Sequence, residues 1–185
     1  MKKQITSKDE ILKVCKEIVS EQGISKINMR TVSSKCQIAL GSLYNYFPSK
    51  ADLISATVES VWQECFSQYP HTDFICLADY ISYIFAKLRI GKNKYPNFFT
   101  RHAVAFESNN KAQGRQLMQN YFLSCRNTIV TLIENDSNVS GDAFSDILTC
   151  EKFADYLITL IATSIISDVM DESALIELVN KVLYR

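Results

Sequence analysis

Histidine is nearly missing from this chain. Its 185 residues include only His71 and His102, so a His-rich metal site is not available. There is no C-x-x-C pair either. The cysteines at 15, 36, 65, 76, 125 and 150 are scattered, and they read as reduced thiols used as small apolar residues. No apolar run approaches the roughly 18 residues that a bilayer crossing needs. The opening MKKQITSKDEILK has a basic tip but no apolar signal core, so the expectation is a cytoplasmic protein with no membrane partner. Also missing are a phosphate-binding glycine loop, a nucleophile–base signature and strand alternation with turn signals. These gaps argue against an enzyme and against a cofactor. There is no internal repeat.

Net charge is missing as well, since 20 basic residues balance 20 acidic ones. The balance hides an asymmetry. Residues 1–60 hold nine Lys or Arg against six Asp or Glu. The rest of the chain is acidic by the same margin. A basic N-terminal third suits an anionic partner there.

What the chain does have is helical spacing almost throughout. In SKDEILKVCKEIVSEQG, Ile11, Leu12, Cys15, Ile18 and Val19 share one face. Ser7 and Glu10 have the form of a capping box, and Gly23 is a left-handed stop. INMRTVSSKC follows, with Asn28 as its cap. A third short helix ends at Pro48, and Ser49 with Asp52 opens a long amphipathic one. Further helices are expected over residues 72–91 (ending at Gly91), from about Pro96, over 111–136, over 146–170 and over 171–185. NDSNVSGD is the clearest loop. The fold expected is all-α, about nine helices. Residues 1–50 form a three-helix helix-turn-helix domain, and residues 51–185 form a larger helical one.

The stretch ALGSLYNYFPSK, residues 39–50, is unusual. Leu43 and Phe47 lie four apart and share a face that suits a core. Gly41, Ser42, Tyr44 and Asn45 then project elsewhere. Glycine in a helix costs about 1 kcal/mol against alanine, and close approach of another surface would compensate. A tyrosine hydroxyl can reach a phosphate, and an asparagine amide can pair with a base edge. Lys50 adds charge beside the backbone N–H groups of the next helix. The residues alone leave two readings open: a buried aromatic corner, or a surface for DNA.

MRTVSSKCQIALGSLYNYFPSKADLI resembles the DNA-binding segment of the TetR family of bacterial transcription regulators. The family pattern G-x-L-Y-x-Y-F-x-x-K-x-x-L is matched by Gly41, Leu43, Tyr44, Tyr46, Phe47, Lys50 and Leu53. The resemblance covers roughly residues 7–60. It implies phosphate contacts from Arg30 and Thr31, and a recognition helix bearing Gly41, Ser42, Tyr44 and Asn45. It also implies a backbone contact from Lys50. Two departures stand out. The turn between the second and third helices usually carries glycine, and here the residue is Gln37; positive φ is uncommon for such a side chain, so the expectation is a turn that is strained or differently shaped. The recognition helix usually starts with a Ser or Thr cap, and here it is Ala39. Leu40 follows, where family members are often polar or basic. It meets a thymine methyl or sits in the core.

The resemblance also implies a homodimer through the last two helices and a small apolar or aromatic effector. DYLITLIATSIISDV and LIELVNKVL have wide apolar faces that need covering. Trp62, Phe66, Tyr83, Phe99, His102, Phe106 and Phe122 are the candidate pocket residues. The function expected is a ligand-responsive homodimeric repressor on a pseudo-palindromic operator. A TetR-like activator or a co-regulator that senses a protein partner is the alternative within the family. A helical small-molecule carrier or enzyme is the alternative from another class.

Overall fold

The computed structural model describes residues 7–66, 74–96, 98, 111–167 and 169–184, with backbone alone at 66, 111–118 and 166. Among these residues there are eight α-helices and no strand. They are α1 (Lys8–Gln22), α2 (Met29–Cys36), α3 (Leu40–Tyr46), α4 (Lys50–Phe66), α5 (Leu77–Lys94), α6 (Lys111–Asn135), α7 (Cys150–Ile166) and α8 (Ser173–Leu183). A 3₁₀ turn, Ile24–Lys26, joins α1 to α2. The further helix expected from about Pro96 lies almost wholly outside the described residues.

Local chemistry sets the helix starts. The Ser7 hydroxyl accepts the Glu10 N–H at 3.2 Å, and the Asn28 carboxamide accepts that of Thr31 at 2.9 Å. Ser49 accepts the Asp52 N–H at 3.1 Å and donates its hydroxyl to the Asp52 carboxylate at 2.7 Å. At the start of α7 the Thr149 hydroxyl accepts the Lys152 N–H. The stop after α1 differs from expectation. Gly23 has φ 83° and ψ 161°, an extended, positive-φ conformation that is essentially glycine-only. The reason is the 3₁₀ turn that follows at once, closed by the Lys26 N–H on the Gly23 carbonyl at 3.1 Å.

The described residues of 1–68 and 91–117 form one compact unit. Its core includes Ile11, Cys15 and Ile18 of α1, Val32 of α2, Leu43 of α3, Phe47, and Leu53 and Val61 of α4, all at most 3% exposed. Each large aliphatic chain buried in this way contributes about 1.5–3 kcal/mol. α1 packs on α2 and α4, and α2 packs on α3. At the rim of this unit, Glu64 gathers three donors. Lys16 reaches it at 2.5 Å, the Tyr95 hydroxyl donates to it at 3.0 Å, and Lys94 pairs with it too. Partial burial raises the Glu64 carboxyl, but the bonds from Lys16, Lys94 and Tyr95 outweigh burial and hold it at about 2. This knot explains why α5 does not stop at Gly91. The helix runs to Lys94, the Tyr95 N–H bonds the Gly91 carbonyl at 2.8 Å, and Ser20 donates to the Lys94 carbonyl.

The described residues of 69–90 and 118–185 form the other unit. Arg89 holds Glu172 with two bonds, at 2.6 and 3.1 Å, and also reaches the Met170 carbonyl. Arg126 pairs with Asp155. The loop between α6 and α7 is fixed to the end of α8 by the Ser140 N–H on the Leu183 carbonyl and by the Tyr184 hydroxyl on Asp136. The cysteines are free thiols, four of them buried. Burial pushes Cys15 up to about 12 against an opposing hydrogen bond with Thr57, so that thiol stays protonated and behaves as an apolar residue. Among the described residues, no helix is long and apolar enough to cross a membrane.

Candidate nucleic-acid interface

α2, a three-residue turn and α3 form the helix-turn-helix. Gln37 turns the chain with φ 57° and ψ 39°, the only positive φ on a non-glycine side chain among the described residues. Its N–H bonds the Ser34 carbonyl at 3.1 Å, and the Ile38 N–H bonds the Ser33 carbonyl at 3.1 Å. This crossed pair is the Schellman arrangement in which glycine is usual. Of the two expectations for this turn, a strained or a different shape, Gln37 takes the first: it adopts the left-handed conformation itself. The cap is missing as expected, because the Ala39 side chain makes no hydrogen bond to the start of α3.

Two side chains fix α3 on its unit. Leu43 is fully buried and Phe47 is 3% exposed. They set the rotation of the helix, since positions 43 and 47 face inward together. Tyr46 is half-buried. Gly41, Tyr44 and Asn45 consequently point to solvent, with Tyr44 at 45% exposure. Leu40 and Ser42 are half-buried. A Cβ placed on Gly41 would meet no heavy atom of the described residues within 4 Å. Just beyond α3, Lys50 is exposed in the first turn of α4. The Lys8 ammonium lies 5.7 Å from the centre of the Phe47 ring.

Arg30 is exposed on α2 and Thr31 is half-buried beside it. The Thr31 hydroxyl accepts from the Asn28 carboxamide at 2.8 Å, which leaves its own proton available to an outside acceptor. All eight residues expected to touch DNA lie on α2, on α3 or at the start of α4.

The pocket residues are less well placed. Phe99, His102 and Phe106 lie outside the described residues, as does the Phe66 side chain. Trp62 is buried against Phe98, with ring centres 6.5 Å apart. Tyr83 belongs to the other unit, grouped with Phe74 and Tyr80 at 5.2 and 6.4 Å. Phe122 lies there too, 5.9 Å from Tyr121. Sequence reasoning missed Lys16 and Glu64 as a linked pair. They are 48 positions apart, and no local pattern announces such a contact.

Residues 11–57 match the family model described as bacterial regulatory proteins, tetR family. The chain carries the TetR-family helix-turn-helix domain. Among solved structures, it is similar to a tetR-family transcriptional regulator from Streptomyces coelicolor. That likeness has 13% identity and a TM-score of 0.67 over 93% of this chain and 74% of the other. It is also similar to GusR of Salmonella enterica, with 16% identity and a TM-score of 0.61 over 98% and 99% of the two chains. At such identities the likeness concerns the fold: a TetR helix-turn-helix domain followed by a helical domain. A comparison with curated protein sequences finds no match.

Proposed function

We propose that this protein is a homodimeric transcriptional regulator, a repressor that binds a pseudo-palindromic operator and is released by a small apolar or aromatic effector. In this reading residues 1–50 bind DNA, residues 51–185 dimerise and hold the effector, and the protein acts in the cytoplasm without catalysis. The observation that carries it is the α3 surface. Leu43 and Phe47 anchor the helix inward, so Tyr44 and Asn45 stand outward with Gly41 uncovered between them and the turn. Asn45 suits a base edge, while Tyr44, Arg30, Thr31, Ser42 and Lys50 suit phosphate or base contacts.

A second copy suits the outer stripes of α7 and α8. The inner stripe of α7 is Phe153, Leu157, Ile161 and Ile165, all buried. Its outer stripe still carries Tyr156 at 62% and Leu160 at 42% exposure. On α8, Val179 and Leu183 face inward, and Leu178 is 45% exposed. Apolar residues on both sides of a helix ask for two partners, and a closed two-fold dimer supplies the second. Two recognition helices about 34 Å apart would then meet successive turns of one DNA face. An effector that prefers another spacing releases the DNA in proportion to its differential affinity.

The test is a shift assay with purified protein and the DNA upstream of its own gene. Salt-sensitive, sequence-selective binding is expected. Equal affinity for unrelated duplexes would rule the reading out. Deletion of the gene then gives the sign of regulation, since a repressor's targets rise.

A further inference from the structure

The exposed face of α3 is polar along one part and apolar along the other. Tyr44 and Asn45 carry its polar groups. Ala39, Leu40 and Gly41 offer no polar side chain. Ala39 and Gly41 are exposed, and Leu40 keeps part of its side chain in water. Leu40 and Tyr44 are four residues apart and stand one above the other on the helix. Core packing accounts for only part of Leu40, which is half-buried beside the inward pair Leu43 and Phe47 and keeps the rest of its side chain in water. Capping does not account for Ala39, whose side chain makes no hydrogen bond. A serine there would strengthen the helix start.

An apolar edge on a recognition helix has one apolar partner in the major groove, the C5 methyl group of thymine. We infer that this chain reads its operator partly through a thymine methyl held against Ala39 and Leu40, at one defined position in each half-site. The inference rests on the DNA-binding reading above. Its chemistry is distinctive. Such an edge separates bases by the presence of a methyl group, and it is indifferent to the hydrogen-bonding atoms beside it.

Full-length protein would first select duplexes from a random pool. Each thymine of the selected site is then replaced, in both half-sites together, by deoxyuridine, which lacks only the methyl. One position is expected to weaken binding about fourfold per half-site, the value of one buried methyl group, and so roughly fifteenfold for the pair. In Leu40→Ser the thymine and uracil duplexes should bind alike. The scan on the unaltered protein stands even if that variant folds poorly. Uniform indifference to deoxyuridine would overturn the inference, as would full methyl sensitivity in a folded Leu40→Ser. A pool that yields no enriched duplex would instead overturn the DNA-binding reading, and this inference with it.

Discussion

Gln37 sits in a backbone conformation that costs most side chains about 1–2 kcal/mol. Two crossed backbone hydrogen bonds hold it there. Gln37→Gly should therefore raise stability by about 0.5–1 kcal/mol, after allowing for the greater freedom of glycine in the unfolded chain. The urea midpoint measures this, and an unchanged or lower midpoint would show that the glutamine side chain stabilises the turn in another way. The outward residues of α3 and α4 make a different kind of prediction. Tyr44→Phe removes one hydroxyl and should weaken operator binding about fivefold, the value of one hydrogen bond. Lys50→Ala should weaken binding nearly equally for all sequences and lower the salt dependence by about one phosphate contact. Titrations at several salt concentrations separate the two behaviours.

At the scale of elements, the knot at Glu64 ties α4 to α1 and to the end of α5. Its carboxyl lies at about 2, against an ordinary value of 4.5. A depressed carboxylate contributes its stability above the ordinary value, and the contribution fades as pH falls from about 4.5 toward 2. Glu64→Gln should cost about 2 kcal/mol at pH 7, the scale of hydrogen bonds to a charged group. The gap between the two proteins should narrow by pH 3, as denaturation at the two pH values would report. A constant gap would mean that the charge is irrelevant. Elements also show what the sequence could and could not tell. Caps at Ser7, Asn28 and Ser49 were legible because each acts within three residues of itself. An unusual turn at Gln37 was legible for the same reason, though not that it would be left-handed, and the inward pair Leu43 and Phe47 followed from periodicity. Gly91 misled as a helix end because contacts from Glu64 and Ser20, distant in the chain, carry α5 onward. The apolar breadth of α7 and α8 was visible, but periodicity alone did not say that Tyr156, Leu160 and Leu178 would be the ones left outside.

For the whole molecule, those three residues are the ones on which the proposed association of two chains would rest. In the proposed dimer, Leu160→Glu together with Tyr156→Lys would place charges in a buried seam. The pair should yield a helical monomer with weak, non-cooperative operator binding, seen by sedimentation and by titration of a two-half-site duplex. A variant that stays dimeric would move the interface elsewhere. In the proposed DNA complex, the free molecule and the bound one would set opposite demands on Gly41. Among the described residues nothing occupies the space beside it, so Gly41→Ala should firm up α3 by about 1 kcal/mol. A screen for thermostable variants would keep that substitution. In the DNA-bound state proposed above the new methyl would fill the clearance between helix and DNA, so a screen for operator binding should discard it. If the proposed DNA contact holds, selection for regulation keeps this short helix below the stability its own backbone could reach.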